Sequence, residues 1–263
     1  MKKLILASAV ASVFVAHVAY AADEAPAEPP EHQVAYNIGF ASDYRFRGIS
    51  QTRNKPAISA GVDYTNTPSG FYLGAWASNI SWIQDQGATS GDYEFDVYGG
   101  KRGDLSGLSK DLAKMTYDVG VISYNYPGNT LRTVTGATAN TVELYGQLGY
   151  SVVTLKYSHA VSDFIGWAPK SHGSNYIDLS ANPELVDGYV LNLHVGKQVV
   201  KNYLNGLANY VDWKVGVTKD LGFAVGSIAV VGTDANKTTA GYDFGGKGFT
   251  GNTKALVTVV KNF

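Results

Sequence analysis

Charged residues at every second position are the feature of this sequence best suited to chemistry. Asp43, Arg45 and Arg47 alternate with aromatic residues and precede Gly48. In an extended chain, residues two positions apart lie on one face, so these three charges share a surface. Comparable alternating positions hold Asp63, Glu94, Asp96, Asp118, Glu143, Lys156, Asp178, His194, Asp212 and Lys214. Charges of both signs on one enclosed surface must pair or remain hydrated.

Two roles for this surface stay open. As a pore lining, it would place Arg45 and Arg47 opposite carboxylates, and the resulting transverse field would select ions or solutes at a constriction. As a packed interior, the same residues would form a salt-bridge network that fills a closed lumen. Arg47, next to Gly48, is equally suited to fixing the loop that follows. We predict that the charged residues named above, His194 excepted, line a pore.

Catalytic chemistry has less support in the sequence. The chain has no cysteine, which excludes disulfides, a cysteine nucleophile and Cys-based zinc sites. Lipid acyl hydrolysis needs a serine held against a histidine that an acid or amide orients. Ser158 and His159 are consecutive and point to opposite faces of a strand, and no spacing favours Ser78 or Ser180 as the nucleophile. The histidines beyond residue 33 are also too far apart for an i, i+2 metal pair: His159, His172 and His194. We therefore expect no catalytic residue, metal or cofactor.

Aromatic side chains have two possible roles. Most of them cluster near the ends of the predicted strands, where aromatic girdles hold a barrel at the membrane interfaces. The alternative is stacking against sugar rings inside the lumen. That alternative applies to Trp76, Tyr98 and Tyr145 if they face inward.

The composition indicates contact with lipid through strands. Charged residues make up 16% of the chain, below the roughly 25% of ordinary soluble domains, while Gly (30) and Tyr (18) are abundant. After Ala21 no apolar stretch approaches the ~18 residues of a membrane helix. The formal net charge is −1 and the sequence contains no basic stripe, so we expect no nucleic-acid partner.

An alternating pattern predicts the elements that position the charges. In residues 34–48 the even positions are mostly apolar or aromatic and the odd positions are small or charged, as in a strand with two different faces. Similar segments predict about twelve strands. They cover residues 34–48, 58–65, 71–82, 92–97, 115–122, 142–150, 153–158, 177–180, 189–196, 211–218, 223–233 and 254–263.

The connections between these strands alternate in length. Links after odd strands are long, as in residues 127–140 and 234–253, and links after even strands are mostly short. Such asymmetry is typical of outer-membrane barrels. Residues 101–114 are an exception, a long link on the short side in which Leu105, Leu108 and Leu112 are compatible with a helical turn. A soluble lipocalin-like barrel would place the apolar face inside instead.

Both ends of the chain agree with export to a membrane. Residues 1–21 combine Lys2 and Lys3, an apolar run and Ala19-Tyr20-Ala21, which predicts a cleaved signal peptide rather than a membrane anchor. Residues 22–33 form an acidic, Pro-rich leader, and residues 34–263 form the predicted barrel domain. The last strand ends in Phe263, which we expect the barrel assembly machinery to recognise.

Several motifs resemble the TorF-type porin family of proteobacteria, also labelled Gcw_chp. They include residues 42–51 (SDYRFRGISQ), 69–79 (SGFYLGAWASN), 117–120 (YDVG), 126–128 (YPG), 176–181 (YIDLSA), 214–221 (KVGVTKDL) and 231–234 (VGTD). The resemblance spans about residues 34–263 and is most specific in its N-terminal third. The 101–114 link is longer than the family pattern, and Lys261 stands where outer-membrane proteins often carry an aromatic residue. The resemblance implies an outer-membrane β-barrel, with a channel as its expected function.

Together these features predict an all-β, up-and-down transmembrane barrel in the bacterial outer membrane. Its expected partners are outer-membrane lipid, the assembly machinery and a small hydrophilic solute that passes by diffusion. Two other functions stay open, an outer-membrane lipid acyl hydrolase and a closed structural or adhesive barrel.

Overall fold

Twelve antiparallel strands close into one barrel. The structure, a computed structural model, describes residues 30–263, so the predicted signal peptide and most of the leader lie outside the described residues. The barrel strands are β1 His32–Ala41, β4 Ala57–Asn66, β5 Phe71–Asn79, β6 Tyr93–Asp104, β7 Met115–Asn125, β8 Thr141–Tyr150, β9 Val153–Ala160, β10 Asn175–Ala181, β11 Tyr189–Val199, β12 Tyr210–Asp220, β13 Val225–Thr233 and β14 Lys254–Asn262. Two further strands, β2 Arg45–Phe46 and β3 Ile49–Ser50, form a separate hairpin. The predicted strand number and fold class are confirmed.

The barrel closes where its first and last strands meet. Each strand pairs with its neighbours in sequence order, and β1 also pairs with β14. At this seam residues 37–41 of β1 lie opposite residues 258–262 of β14. Beyond the register of β14, the backbone N–H of Phe263 donates to the carbonyl of Tyr36 at 2.9 Å.

The apolar face of the strands points outward. In β1, Val34, Tyr36 and Ile38 are more than half exposed, at 54%, 56% and 55%, whereas the intervening residues are half-buried or buried. Leu144 and Leu148 in β8 are exposed in the same way, while Glu143 and Tyr145 are buried. Because exposing such a continuous apolar surface to water is unfavourable, this arrangement fits a barrel surrounded by lipid. The inside-out orientation is the one that the sequence favoured over a lipocalin-like barrel.

Long and short connections lie at opposite ends, which we call the loop end and the turn end. The long connections are the first (residues 42–56), second (80–92), third (126–140), fourth (161–174), fifth (200–209) and sixth (234–253) loops. Both termini of the barrel lie at the turn end. The exceptional link there is shorter than predicted, because β6 continues to Asp104, and it contains a 3-10 turn at Lys110–Leu112.

Two predicted strands end earlier than expected. β1 stops at Ala41, and residues 43–52 turn into the barrel mouth instead of continuing toward residue 48. Arg47 and Gly48 have left-handed backbone angles (φ of 47° and 79°) that make the tight turn between β2 and β3. β5 stops at Asn79, and Trp82 begins helix α1 (Trp82–Asp85). In the sequence, the alternation of apolar and polar residues continues past both strand ends. The aromatic residues there are buried inside the mouth, where they avoid water as they would in lipid.

The main hydrophobic core occupies the loop end. Residues of the hairpin, of α1, of helix α2 (Leu131–Thr135) and of every loop pack together there. Short 3-10 turns at Val186–Gly188, Leu204–Gly206 and Phe244–Gly246 complete the secondary structure of the described residues. No helix within residues 30–263 has the length and apolar character needed to cross a membrane.

The lumen as the candidate functional site

The strands place nearly all of the predicted charged residues on the inner wall. These positions alternate with exposed apolar neighbours in β4, β6, β7, β8, β9, β10, β11 and β12. The side chains are Asp63, Glu94, Asp96, Asp118, Glu143, Lys156, Asp178, His194, Asp212 and Lys214. Asp43, Arg45 and Arg47 also lie inside the barrel, but in the first loop and its hairpin rather than on the first strand as predicted.

Arg47 crosses the mouth and joins the hairpin to the far wall. Its guanidinium donates to Glu143 on β8 at 2.6 Å and to Gln198 on β11 at 2.7 Å. The guanidinium carbon also lies 4.4 Å from the centre of the Tyr176 ring. Burial by itself lowers the pKa of Arg47. The charge and hydrogen bond of Glu143, together with Tyr124 and Tyr176, outweigh this effect and raise that pKa, so the side chain stays charged. This buried ion pair holds the hairpin across the lumen.

Arg45 joins the hairpin to the sixth loop. It donates to the Asp43 carboxylate at 2.6 Å and to the backbone carbonyls of Gly48 (2.9 Å), Thr250 (3.0 Å) and Asn252 (3.1 Å). Only 3% of Arg45 is exposed. Its contacts match the salt-bridge role that the sequence left open, and they stabilise the inward fold of the first loop.

Buried carboxylate oxygens without a hydrogen-bond donor lie beside this hairpin. Glu94 and Asp96 share the inner face of β6 and are 1% and 0% exposed. Tyr44 donates to Glu94 at 2.9 Å. Within residues 30–263 neither oxygen of Asp96, which lies against the Glu94 carboxyl group, has a donor other than that group, and Oε1 of Glu143 has no hydrogen-bond partner. A buried carboxylate oxygen is costly without a proton, a water molecule or a cation beside it. These oxygens are therefore positions where such a species is strongly stabilised.

Tyrosine hydroxyls connect the acidic residues nearer the turn end. Tyr98 donates to Asp63 and Tyr72 donates to Asp118, each at 2.6 Å, and Tyr72 also contacts the hydroxyl of Tyr145. The ring of Tyr145 lies against β7 at Gly120, where an added Cβ would meet the tyrosine oxygen at 2.5 Å. Only a glycine leaves this space, so strand and ring fit together closely.

The aromatic residues considered for sugar stacking do face inward. Tyr98 and Tyr145 take part in the hydrogen bonds above, and Trp76 packs edge-on against Tyr44 with ring centres 5.3 Å apart. The ammonium group of Lys156 lies 4.1 Å from the centre of the Tyr145 ring. These contacts occupy ring surfaces that a passing sugar would need.

His194 lies between two carboxylates. Its Nδ1 is 3.0 Å from Asp178 and its Nε2 is 2.9 Å from Asp212, so each ring nitrogen needs a proton to donate. Ser180 lies 3.2 Å from Nδ1, which brings together a serine and a histidine whose pairing no spacing indicated. An imidazolium that donates from both nitrogens cannot accept the serine proton, so this group lacks the general base that a hydrolase requires.

Arg102 is a lumenal residue that the sequence reasoning missed. It belongs to β6, not to the link that follows, and it donates to Thr65 at 3.0 Å. Asp118 is its partner in the register of β7. The available signal was the alternation that continues from Glu94 and Asp96 through Tyr98 and Gly100 to Arg102, beyond the predicted strand end at residue 97.

Comparisons with known proteins agree with this architecture. The model of the family Gcw_chp, described as a bacterial protein of unknown function, matches residues 24–263. The KdgM porin matches with a TM-score of 0.52 and 9% identity, over 88% of this chain and 98% of that chain. A structure of the KdgM porin in complex with disordered oligogalacturonate gives a TM-score of 0.50 and 8% identity, with the same coverage. At such identities the likeness shows the fold, and no curated protein matches the chain.

Proposed function

Since this chain belongs to the Gcw_chp family of bacterial proteins and folds as a porin-type barrel, we propose that it is an outer-membrane channel for small hydrophilic solutes or ions. Solutes pass by diffusion and no enzyme reaction is involved. The observation that carries the proposal is the division of most barrel strands between an exposed apolar face and an inner face rich in polar and charged residues. On β13 and β14 the buried face is apolar instead, with Ala229, Val231 and Leu256 packed together. A lipid-embedded barrel with such an interior offers a hydrated path across the membrane.

The hairpin forms the constriction of this path. It places Asp43, Arg45 and Arg47 in the mouth, and Arg47 touches the wall on the side opposite to the seam. Below it, the inner-wall residues Asp63, Glu94, Asp96, Asp118, Glu143, Lys156, Asp178, Asp212 and Lys214, together with Arg102, line the route. Opposite charges on the two sides of a narrow opening create the transverse field that sets ion preference.

Single-channel recording in planar lipid bilayers tests the proposal. The protein should give stable conductance steps, and Arg47→Ala should shift the reversal potential toward cation preference because buried carboxylates then dominate the mouth. Arg132→Ala removes an exposed arginine of the third loop and serves as the matched control. Absence of any stable step from correctly folded protein would refute the channel.

A closed structural or adhesive barrel is the second candidate. It is favoured by the aromatic core that fills the loop end, with side chains such as Tyr44, Trp82 and Leu131 no more than 2% exposed. A closed barrel gives no conductance steps for the wild type or for the variant Arg47→Ala. The same recordings therefore separate the two functions.

The signal peptide at residues 1–21 and assembly through Phe263 belong to the same proposal. The side chain of Phe263 is 65% exposed while its backbone pairs with Tyr36, so the ring is available to another protein before or during closure. Deleting Phe263 should lower the amount of folded barrel in the membrane, measured by heat-modifiable migration on gels. Phe223→Ala, which removes an exposed aromatic ring from a turn, is the control; an equal yield for both variants would mean that Phe263 is only structural.

A further inference from the structure

A small cavity opens among the loops directly above the hairpin. It has a volume of about 30 Å³, and its lining comes from the first, second, fourth and sixth loops and from β12. Room of this size holds about two water molecules. Aromatic rings make up most of the wall, contributed by Phe46, Trp82, Phe164, Trp167, Tyr242 and Phe244. Because Phe46 belongs to the hairpin, the cavity adjoins the proposed constriction.

The rings around the cavity are steeply inclined to one another. Trp167 and Tyr242 have ring centres 4.7 Å apart at an angle of 65°, and Trp167 and Phe244 are 6.1 Å apart. Trp167 and Phe244 are half-buried, so part of each ring remains accessible from the loop end. Flat apolar surfaces of this kind suit a ligand that has a C–H face as well as polar edges.

Hydrogen-bonding groups in the wall lack partners. The indole Nε1 of Trp82 is buried and makes no hydrogen bond within the described residues, although a buried indole N–H normally has one. The side chain of Gln86 also makes no hydrogen bond there, and that of Gln51 uses only its amide nitrogen, which donates to Ile49 at 2.9 Å. The indole N–H of Trp82, the amide group of Gln86 and the amide oxygen of Gln51 are thus free to bind a ligand.

The lining carries no charge. Its only titratable side chains are tyrosines, and burial raises the pKa of Tyr242, so that hydroxyl stays neutral. A charged ligand would find no counterion in this wall, whereas a neutral hydroxyl-rich ligand needs only hydrogen-bond partners to offset the loss of water.

We propose that the cavity binds one hexose unit of a neutral saccharide. The ring lies across the opening against Trp167 and Phe244, because the cavity is too small to enclose it. One hydroxyl oxygen enters the cavity and accepts from Nε1 of Trp82, and another hydroxyl bonds to the Gln86 amide. This inference rests on the proposed channel function, because it identifies the solute of that channel as a saccharide.

Calorimetric titration of the detergent-solubilised full chain with maltohexaose tests the site. Trp82→Phe keeps a ring but removes the free N–H, and Gln86→Ala removes the free amide. Each variant should weaken binding by about 2- to 12-fold, the value of one lost hydrogen bond. Gln84→Ala is the matched control, since Gln84 lies in the same helix but not in the cavity wall, and it should leave affinity unchanged.

Other outcomes overturn the inference. These are the absence of binding heat with maltohexaose, binding of oligogalacturonate but not of the neutral sugar, and equal affinities for wild type, Trp82→Phe and Gln86→Ala. Conductance is recorded separately and without sugar, so the two proposals fail independently. Stable steps with no saccharide binding refute the site alone, and saccharide binding with no steps refutes the channel alone.

Discussion

The two halves of the lumen are built from the same strands but differ in chemistry. At the loop end, β6 contributes Glu94 and Asp96, both buried beside the hairpin, and the space is filled by aromatic rings. Toward the turn end, the same strand contributes Tyr98 and Arg102, both half-buried within a polar network. Strand alternation thus decides which side chains face inward. Loop packing decides whether those side chains are buried or hydrated.

The largest expected effect comes from breaking the buried ion pair at the loop end. Glu143→Ala leaves the charge of Arg47 buried with only Gln198 as hydrogen-bond acceptor. Removing one partner of such a pair costs about 3–5 kcal/mol. Hydrogen exchange of residues 43–52 should accelerate strongly as the hairpin leaves the mouth.

The matched control is Glu184→Ala, which removes an exposed carboxylate at the turn end. The double variant Glu143→Ala/Arg47→Ala should restore part of the protection, because no unpaired charge remains buried. Unchanged exchange in Glu143→Ala would mean that the two halves do not differ as described, and that aromatic packing alone holds the hairpin.

A smaller effect is expected from filling the space behind a tyrosine. In Gly120→Ala the new Cβ would lie 2.6 Å from the backbone oxygen of Gly99 and 2.5 Å from the hydroxyl of Tyr145. The hydroxyl can shift, but the backbone must move, and such overpacking costs about 1–3 kcal/mol. Unfolding by urea, with the folded fraction measured on gels, should show a lower midpoint urea concentration than in the wild type.

Gly146→Ala on the neighbouring strand is the control, since a Cβ there has no atom within 4 Å. Its midpoint should equal or exceed that of the wild type. An equal decrease of the urea midpoint in the two variants would indicate a general cost of replacing glycine, not close packing of the turn-end tyrosines.

The smallest effect concerns a half-buried charge on the inner wall. Lys214→Met removes a half-buried ammonium group on the inner wall. Its influence on ion preference should be visible at 0.1 M salt and largely lost at 1 M, since the screening length falls from about 10 Å to about 3 Å. The shift produced by Arg47→Ala should persist at both concentrations, because Arg47 is buried. Reversal potentials at the two salt concentrations measure this, and equal salt dependence would remove the distinction between the halves.

Sequence patterns predicted the barrel well because the membrane imposes them. An apolar exterior against a more polar interior produces alternation in most strands, and all twelve strands and the long and short connections were found on this basis. The same physics explains the failure at the first loop. Tyr44 and Phe46 avoid water inside the mouth as effectively as they would in lipid, so their alternation could not show where β1 ends.

The contacts of the candidate site were less predictable because they depend on register. Ser180 and His194 meet because β10 and β11 pair these two residues, and a shift by two residues would separate them. Likewise Arg47 reaches Glu143 and Gln198 only after the hairpin has turned inward. Residue types and faces could be read from the sequence, whereas the choice of partner required the three-dimensional pairing.

The seam has a consequence for how the molecule is made. The pairing of β1 with β14 covers residues 37–41, whereas the pairing of β1 with β4 runs over the whole of His32–Ala41. The seam also joins the two segments most distant in sequence, which is the slowest kind of contact to form. No cylinder can exist until β14 has been synthesised and has reached β1. Until then the chain is an open ribbon with two free edges, and the short seam is where a completed barrel would first come apart.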